Sequence, residues 1–211
     1  MILVCVMGVG SSWFGVAHHG DELVATSAGP SRERALGDVE RCLPAGVPYR
    51  VVADASELAA DTVRMLAELE SGNEREKRFT LSGTYVPEPL RSVLRIAASI
   101  PLGYVSSYGN IATAAGTQAR AVGRVMATNP LYPIVPCHRV VGADLSLVGY
   151  GGRQDMSALY AKLTRLRREI RGHKEEALAP GTSLAVYPVE WAIAKALRDG
   201  VDAARQLPLF G

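Results

Sequence analysis

The stretch Ile134-Val135-Pro136-Cys137-His138-Arg139-Val140-Val141 decides how this chain is read. A cysteine stands beside a histidine, directly after a proline, inside an apolar run. Cysteine attacks as its thiolate, and a free thiol is mostly protonated at neutral pH. A neighbouring base or cation changes that balance. Pro136 biases Val135 away from helix and so presents Cys137 in an extended or turn conformation. Cys137 is the candidate nucleophile and His138 the candidate base. The competing reading of Cys137 is a buried structural cysteine, and that of His138 a packed or surface histidine.

Outward from this point, charge divides the chain. The whole carries a formal net charge of +2. From Val86 to Lys174 there are 12 Lys/Arg against 4 Asp/Glu, net +8; the remainder has 11 against 17, net −6. A basic segment joined to an acidic one points to a polyanionic partner for the basic half, against the plainer reading of a solvated charged face. A length of 211 residues allows one large domain or two small ones, and 48% apolar residues suffice for a core. No apolar stretch approaches the roughly 20 residues of a membrane span. The opening MILVCVMGVG reads as a folded strand, not as a signal peptide. Three cysteines, Cys5, Cys42 and Cys137, fit a reducing compartment better than a disulfide framework.

The patterning predicts strands over 2–9, 13–19 and 22–28, separated by Gly10-Ser11-Ser12 and Gly20-Asp21, as in a small meander. A short helix is expected over Leu36–Leu43, a strand over Tyr49–Ala53, and a helix from the N-cap Ser56 to about Glu70. A charged link, Glu74 to Arg78, follows. Helices are expected over Leu90–Ser99, Asn110–Ala115 and Ala119–Ala127, with Gly116-Thr117 splitting the last two. Two short helices around a glycine turn outline a helix-turn-helix, and the second carries Arg120 and Arg124. After the flexible loop Gly149-Tyr150-Gly151-Gly152, Leu159, Leu163, Leu166 and Ile170 mark another helix. Its other faces are assigned Lys162, Arg165, Arg167, Arg168 and Arg171. A Pro/Gly linker and a helix from about Val189 complete the pattern.

Five elements stand in order: the PLGYVSSYG run holding Tyr108, the Arg120-Ala121-Val122-Gly123 step, Asn129-Pro130, the Pro136–Val140 pentapeptide, and the Gly149–Gly152 loop. Over roughly residues 80–152 this order resembles the O6-alkylguanine-DNA alkyltransferase family. The resemblance implies an α/β protein with a small N-terminal ribonuclease-H-like sheet-helix domain. A C-terminal helical domain would follow, with a winged-helix-like helix-turn-helix that binds DNA. The expected domains are 1–78, 79–174 and a helical tail over 175–211. The implied activity is direct repair of O6-alkylguanine, with O4-alkylthymine as a further substrate, by one irreversible transfer to Cys137. His138, through a water, would accept the thiol proton. Asn129 would hold the active-site turn. Tyr108 would press on a backbone phosphate and protonate the departing guanine. Arg120 would fill the gap left by the flipped base, with Arg124 beside it on the DNA-facing helix. Met126, Tyr150, Gly151 and Gly152 would wall the alkylguanine pocket. The partner would be double-stranded DNA, the protein a monomer, and its place the cytoplasm or nucleoid, or the nucleus if the source has one. No cofactor and no metal are implied.

One departure concerns the glutamate that in this family orients the histidine. At the usual spacing this chain has Thr164. An insertion of about five residues in the preceding loop, which loops tolerate cheaply, brings Glu169 into that place. The resemblance also offers Cys5 and Cys42 with His18 and His19 as an N-terminal zinc site, as some members of that family have; their spacing matches no standard ligand pattern, and the competing reading is free core cysteines. The segment Gln206-Leu207-Pro208-Leu209-Phe210 resembles the short peptides that dock on bacterial sliding clamps. Its competing reading is an apolar terminus folding back on its own domain. Two other functions compete with alkyl transfer. A non-enzymatic binder of damaged bases would lack the nucleophilic cysteine, and a Cys-His hydrolase would leave the basic region unexplained.

Overall fold

The computed structural model describes residues 1–73 and 79–201. The link Glu74–Arg78 and the clamp-like segment 206–210 lie outside the described residues. The chain divides into two compact units, Met1–Ala98 with Thr128–Val135, and Ser99–Ala127 with Pro136 onward. These units cut across the boundaries at 78 and 174 expected from sequence. Residues 79–98 and 128–135 join the first unit, because their backbone bonds to its sheet. Leu23 donates to Thr80 O and accepts from Ser82 N, at 2.8 and 2.9 Å, and Thr26 N donates to Pro130 O at 2.7 Å.

The first unit is built on a meander. Strands β1 (Ile2–Val9), β2 (Ser12–His19) and β3 (Glu22–Gly29) pair antiparallel, and β4 (Tyr49–Val51) lies parallel to β1, giving the order β3-β2-β1-β4. Val9 pairs with Ser12 and His19 with Glu22, so both hairpins have two-residue loops. Gly10 and Gly20 open these loops at φ 59° and 55°, where a side chain is disfavoured. Helix α1 (Arg32–Arg41) starts at Ser31, whose side chain accepts from Arg34 N. It thus begins before the apolar run that marked it in the sequence. It lies close on the sheet: a Cβ at Gly15 would meet Ala35 O at 3.0 Å. Helix α2 (Glu57–Glu70) is capped by Ser56 in the same way. Ile2, Val4, Ala17, Val24, Ala25 and Val39 form one core cluster of the unit. Cys5 is buried and Cys42 half-buried. His18 is held by Gly20 O and Ser56 Oγ. Helix α3 (Leu90–Ala98) closes the first stretch of this unit, burying Val93, Leu94 and Ala97.

In the second unit, β5 (Tyr104–Ser107) runs directly into α4 (Tyr108–Ala114), and α5 (Ala119–Ala127) follows across a turn containing Gly116 at φ 65°. The two helices pack together as a helix-turn-helix. Val140–Val141 forms β6, parallel to β5. Helix α6 (Met156–Arg168) starts at the cap Asp155. The segment expected as a helical tail opens instead as a hairpin, β7 (Ala177–Leu178) and β8 (Ala185–Pro188), before α7 (Val189–Arg198). Strand β8 pairs antiparallel with β5, so the sheet order is β6-β5-β8-β7. Leu163 and Leu166 of α6 share one core with Val189, Ala192, Ile193 and Ala196 of α7.

Candidate active site

Cys137, His138 and Arg139 form a single 3-10 turn, with Arg139 N donating to Pro136 O at 2.8 Å. All three side chains are buried, Cys137 being 8% exposed. Cys137 lies at a cavity of about 560 Å³, within the range of small-molecule pockets. Tyr108, Arg120, Arg124, Met126, Tyr150, Gly151 and Gly152 line the same cavity. The structure therefore brings together every residue expected at the pocket and on the DNA-facing helix.

The turn orients His138 through Glu169. His138 Nε2 lies 2.7 Å from Glu169 Oε1. Glu169, the C-terminal cap of α6, is thus the carboxylate that meets the histidine, five residues beyond Thr164. Arg139 clamps the same carboxylate, Nε to Oε2 at 2.8 Å and Nη2 to Oε1 at 3.0 Å, while its Nη1 donates to Ile100 O at 2.8 Å. Burial opposes ionisation of Glu169. The hydrogen bond from His138, with the Arg139 guanidinium, outweighs burial and holds the carboxyl down at about 2. Burial lowers His138, against the pull of Glu169, and keeps the imidazole neutral. A neutral ring beside an ionised carboxylate carries its proton on Nε2. Nδ1 is then an acceptor, and it is buried without a protein partner among the described residues.

Two side chains from other elements interact electrostatically with Cys137. Tyr108 opens α4 and is pushed up to about 12 by burial, then by Cys137, so its phenol stays protonated. Lys162 of α6 is 0% exposed, which corrects its placement on an outer helix face. Its ammonium donates to Val140 O at 2.6 Å and Gly149 O at 2.9 Å, tying the strand after the cysteine to the glycine loop. Burial lowers it to about 8, and its electrostatic interaction with Cys137 opposes that fall. Sequence reasoning missed Lys162 and Arg139 as site residues. The available signal was a lysine set among Leu159, Leu163 and Leu166 on one helical stripe.

The loop is a tight reverse turn. Tyr150 N donates to Arg153 O at 2.9 Å and Arg153 N to Tyr150 O at 3.1 Å. Gly151 and Gly152 sit at φ 57° and 75°, the two positive angles that this kind of turn requires. Asn129 belongs to the first unit. Its Nδ2 donates to Val135 O at 2.8 Å and its Oδ1 accepts from Leu131 N at 3.0 Å, shaping the turn that precedes Pro136 in the chain. No group of three or more His, Cys, Asp or Glu side chains is placed to hold a metal among the described residues.

Residues 89–170 match the family described as 6-O-methylguanine DNA methyltransferase, DNA binding domain. A methylated-DNA–protein-cysteine methyltransferase of Mycolicibacterium paratuberculosis is 46% identical over 77 residues, 36% of this chain and 47% of that protein. The inducible one of Bacillus subtilis is 34% identical over 118 residues, 54% of this chain and 64% of that protein. The chain thus spans about half the length of the curated relatives it matches. The structure of Mycobacterium tuberculosis OGT in complex with DNA aligns with a TM-score of 0.57 at 27% identity, over 79% of this chain and 92% of that one. O6-methylguanine-DNA methyltransferase from Pyrococcus kodakaraensis aligns at 0.54 and 25%, over 80% and 99%. Residues 89–170 are thus similar to the DNA-binding domain of the 6-O-methylguanine DNA methyltransferases, and the fold is similar to that of solved O6-methylguanine-DNA methyltransferases.

Proposed function

We propose that this protein repairs O6-alkylguanine in DNA by moving the alkyl group irreversibly onto Cys137 Sγ. The observation that carries the reading is a cysteine at the cavity followed in the chain by a buried His-Glu pair whose free nitrogen is an acceptor. His138 Nδ1 takes the thiol proton through a water, and the imidazolium is stabilised by Glu169. The Sγ–carbon bond forms as the carbon–O6 bond breaks, and the electron pair leaves with guanine. Tyr108, kept protonated, gives the guanine its proton, and His138 returns one in turn. The net step moves one alkyl group to sulfur and one proton to guanine. A thioether has no acidic hydrogen or good leaving group, so the protein acts once.

The reacting base lies inside the duplex stack and must be extruded to reach such a pocket. Arg120, exposed on α5 at the cavity rim, would occupy the space it leaves. Met126 and Tyr150 would wall the base, and Asn129 would keep the turn ahead of Pro136 in shape. The Mycobacterium tuberculosis protein was solved with DNA, which supports DNA as the partner here. No described helix is long and apolar enough to cross a membrane.

Intact mass tests the reading. Incubation with an oligonucleotide carrying one O6-methylguanine should add a single methyl group, saturating at one equivalent and mapping to Cys137. Tight binding without a mass gain would replace the transferase by a damage-binding protein. We extend the proposal to Gln206–Phe210, as a tether to a bacterial sliding clamp. Deleting residues 206–211 should remove clamp binding; binding that survives the deletion, or none in the intact chain, disposes of the tether.

A further inference from the structure

We infer that the β7–β8–α7 extension is a working part of the alkyl-transfer site, and that Tyr187 and Asn110 are positioning residues acting through Tyr108. The inference rests on the proposed function. The extension lies beyond residue 170, where the matched DNA-binding region ends. It nevertheless grips residues two positions to either side of the pocket phenol, Ser106 and Asn110.

Tyr108 has no strand of its own to hold it; it is the first residue of a seven-residue helix that leaves β5 without a loop. β6 pairs with Ser106 and Ser107 on one side of that junction and Ser107 Oγ accepts from Asn110 N, while β8 holds its other side. Tyr104 pairs with Pro188 and Val105 with Tyr187, and Val189 N donates to Gly103 O at 2.9 Å. Past the end of the ladder, side chains continue it. Ser106 Oγ donates to Ala185 O at 2.7 Å, and Asn110 Nδ2 reaches Ala185 O at 3.4 Å and the Tyr187 hydroxyl at 3.3 Å. Residues on both sides of Tyr108 are therefore anchored to one short strand of the extension. A first helical turn is otherwise the part of a helix most given to fraying.

The same extension also holds the carboxylate end of the site. Glu190 Oε1 accepts from Arg171 N at 3.2 Å and Gly172 N at 2.7 Å, just past Glu169. Helix α7 packs its buried Val189, Ala192, Ile193 and Ala196 on the α6 leucines. One appended hairpin and helix thus span from the proton donor of the reaction to the residue that orients its base. Small displacements at such groups are costly in rate, because proton transfer needs hydrogen-bonding distance.

A double-mutant cycle tests this. Tyr187→Phe removes the hydroxyl that meets Asn110 while keeping the ring. Single-turnover methyl transfer from a saturating O6-methylguanine duplex should slow about fivefold, the effect of one lost hydrogen bond, with duplex affinity unchanged. Asn110→Ala should do the same. In a Tyr108→Phe background neither change should slow the reaction further, since the group they position is gone. A slowing of equal size in both backgrounds, no slowing in either, or a loss confined to affinity overturns the inference. Transfer by the wild-type chain with additive losses removes the brace alone. A wild-type chain that takes up no methyl group removes the function on which the brace rests.

Discussion

His138, Glu169 and Arg139 make one buried arrangement in which each member depends on the next. The carboxylate stays ionised because a guanidinium grips it with two nitrogens, and the imidazole keeps its tautomer because the carboxylate is ionised. Breaking such a group by removing one charge leaves the other buried and unpaired, at about 3–5 kcal/mol. Glu169→Gln should therefore lower the melting temperature clearly at neutral pH. The pH dependence has a definite sign. The Glu169 carboxyl titrates at about 2 in the folded chain against 4.5 ordinarily. A depressed value stabilises the fold above the ordinary one, and that stability is lost as pH falls from 4.5 toward 2. The melting-temperature gap between wild type and Glu169→Gln should narrow over this interval. A gap that stays constant in acid would mean that the carboxylate is not the charge that Arg139 needs.

At the level of elements, much was legible before any coordinates. The three-strand meander, the Ser56-capped helix and the split pair around Gly116 all follow from glycine turns, caps and apolar spacing, and they form where those signals stand. Glu169 was reachable by allowing about five extra residues in the loop ahead of α6, since loops tolerate insertion cheaply. The hairpin β7–β8 was not legible. Its strands are two and four residues long, too short for an alternation to show, and their pairing with β5 is a tertiary contact. The burial of Lys162 escaped for a different reason. A lysine on a charged helix is almost always solvated, and only two backbone carbonyls converging from distant segments make its burial tolerable. The unit boundary was missed because residues 128–135 return to β3 through backbone bonds at Thr26, which no compositional break announces.

For the molecule as a whole, the segregation of charge would set how it meets the DNA proposed as its partner. A segment of net +8 beside a remainder of net −6 favours one approach to a polyanion, and phosphate contacts release counterions. Affinity for a lesion duplex should fall as salt rises, linearly on logarithmic axes. Arg120 separates two roles within that field. As a side chain that replaces an extruded base it contributes to flipping, whereas as a phosphate contact it would contribute to the slope itself. Arg120→Ala is expected to slow methyl transfer from duplex while leaving the salt slope and the affinity for undamaged DNA nearly unchanged. Titrations at several salt concentrations, paired with single-turnover transfer, make the comparison. A slope shallower by about 1, with damaged and undamaged affinities falling together, would assign Arg120 to the phosphate backbone. The base-replacing role would then have to pass to another residue of α5 at the cavity rim.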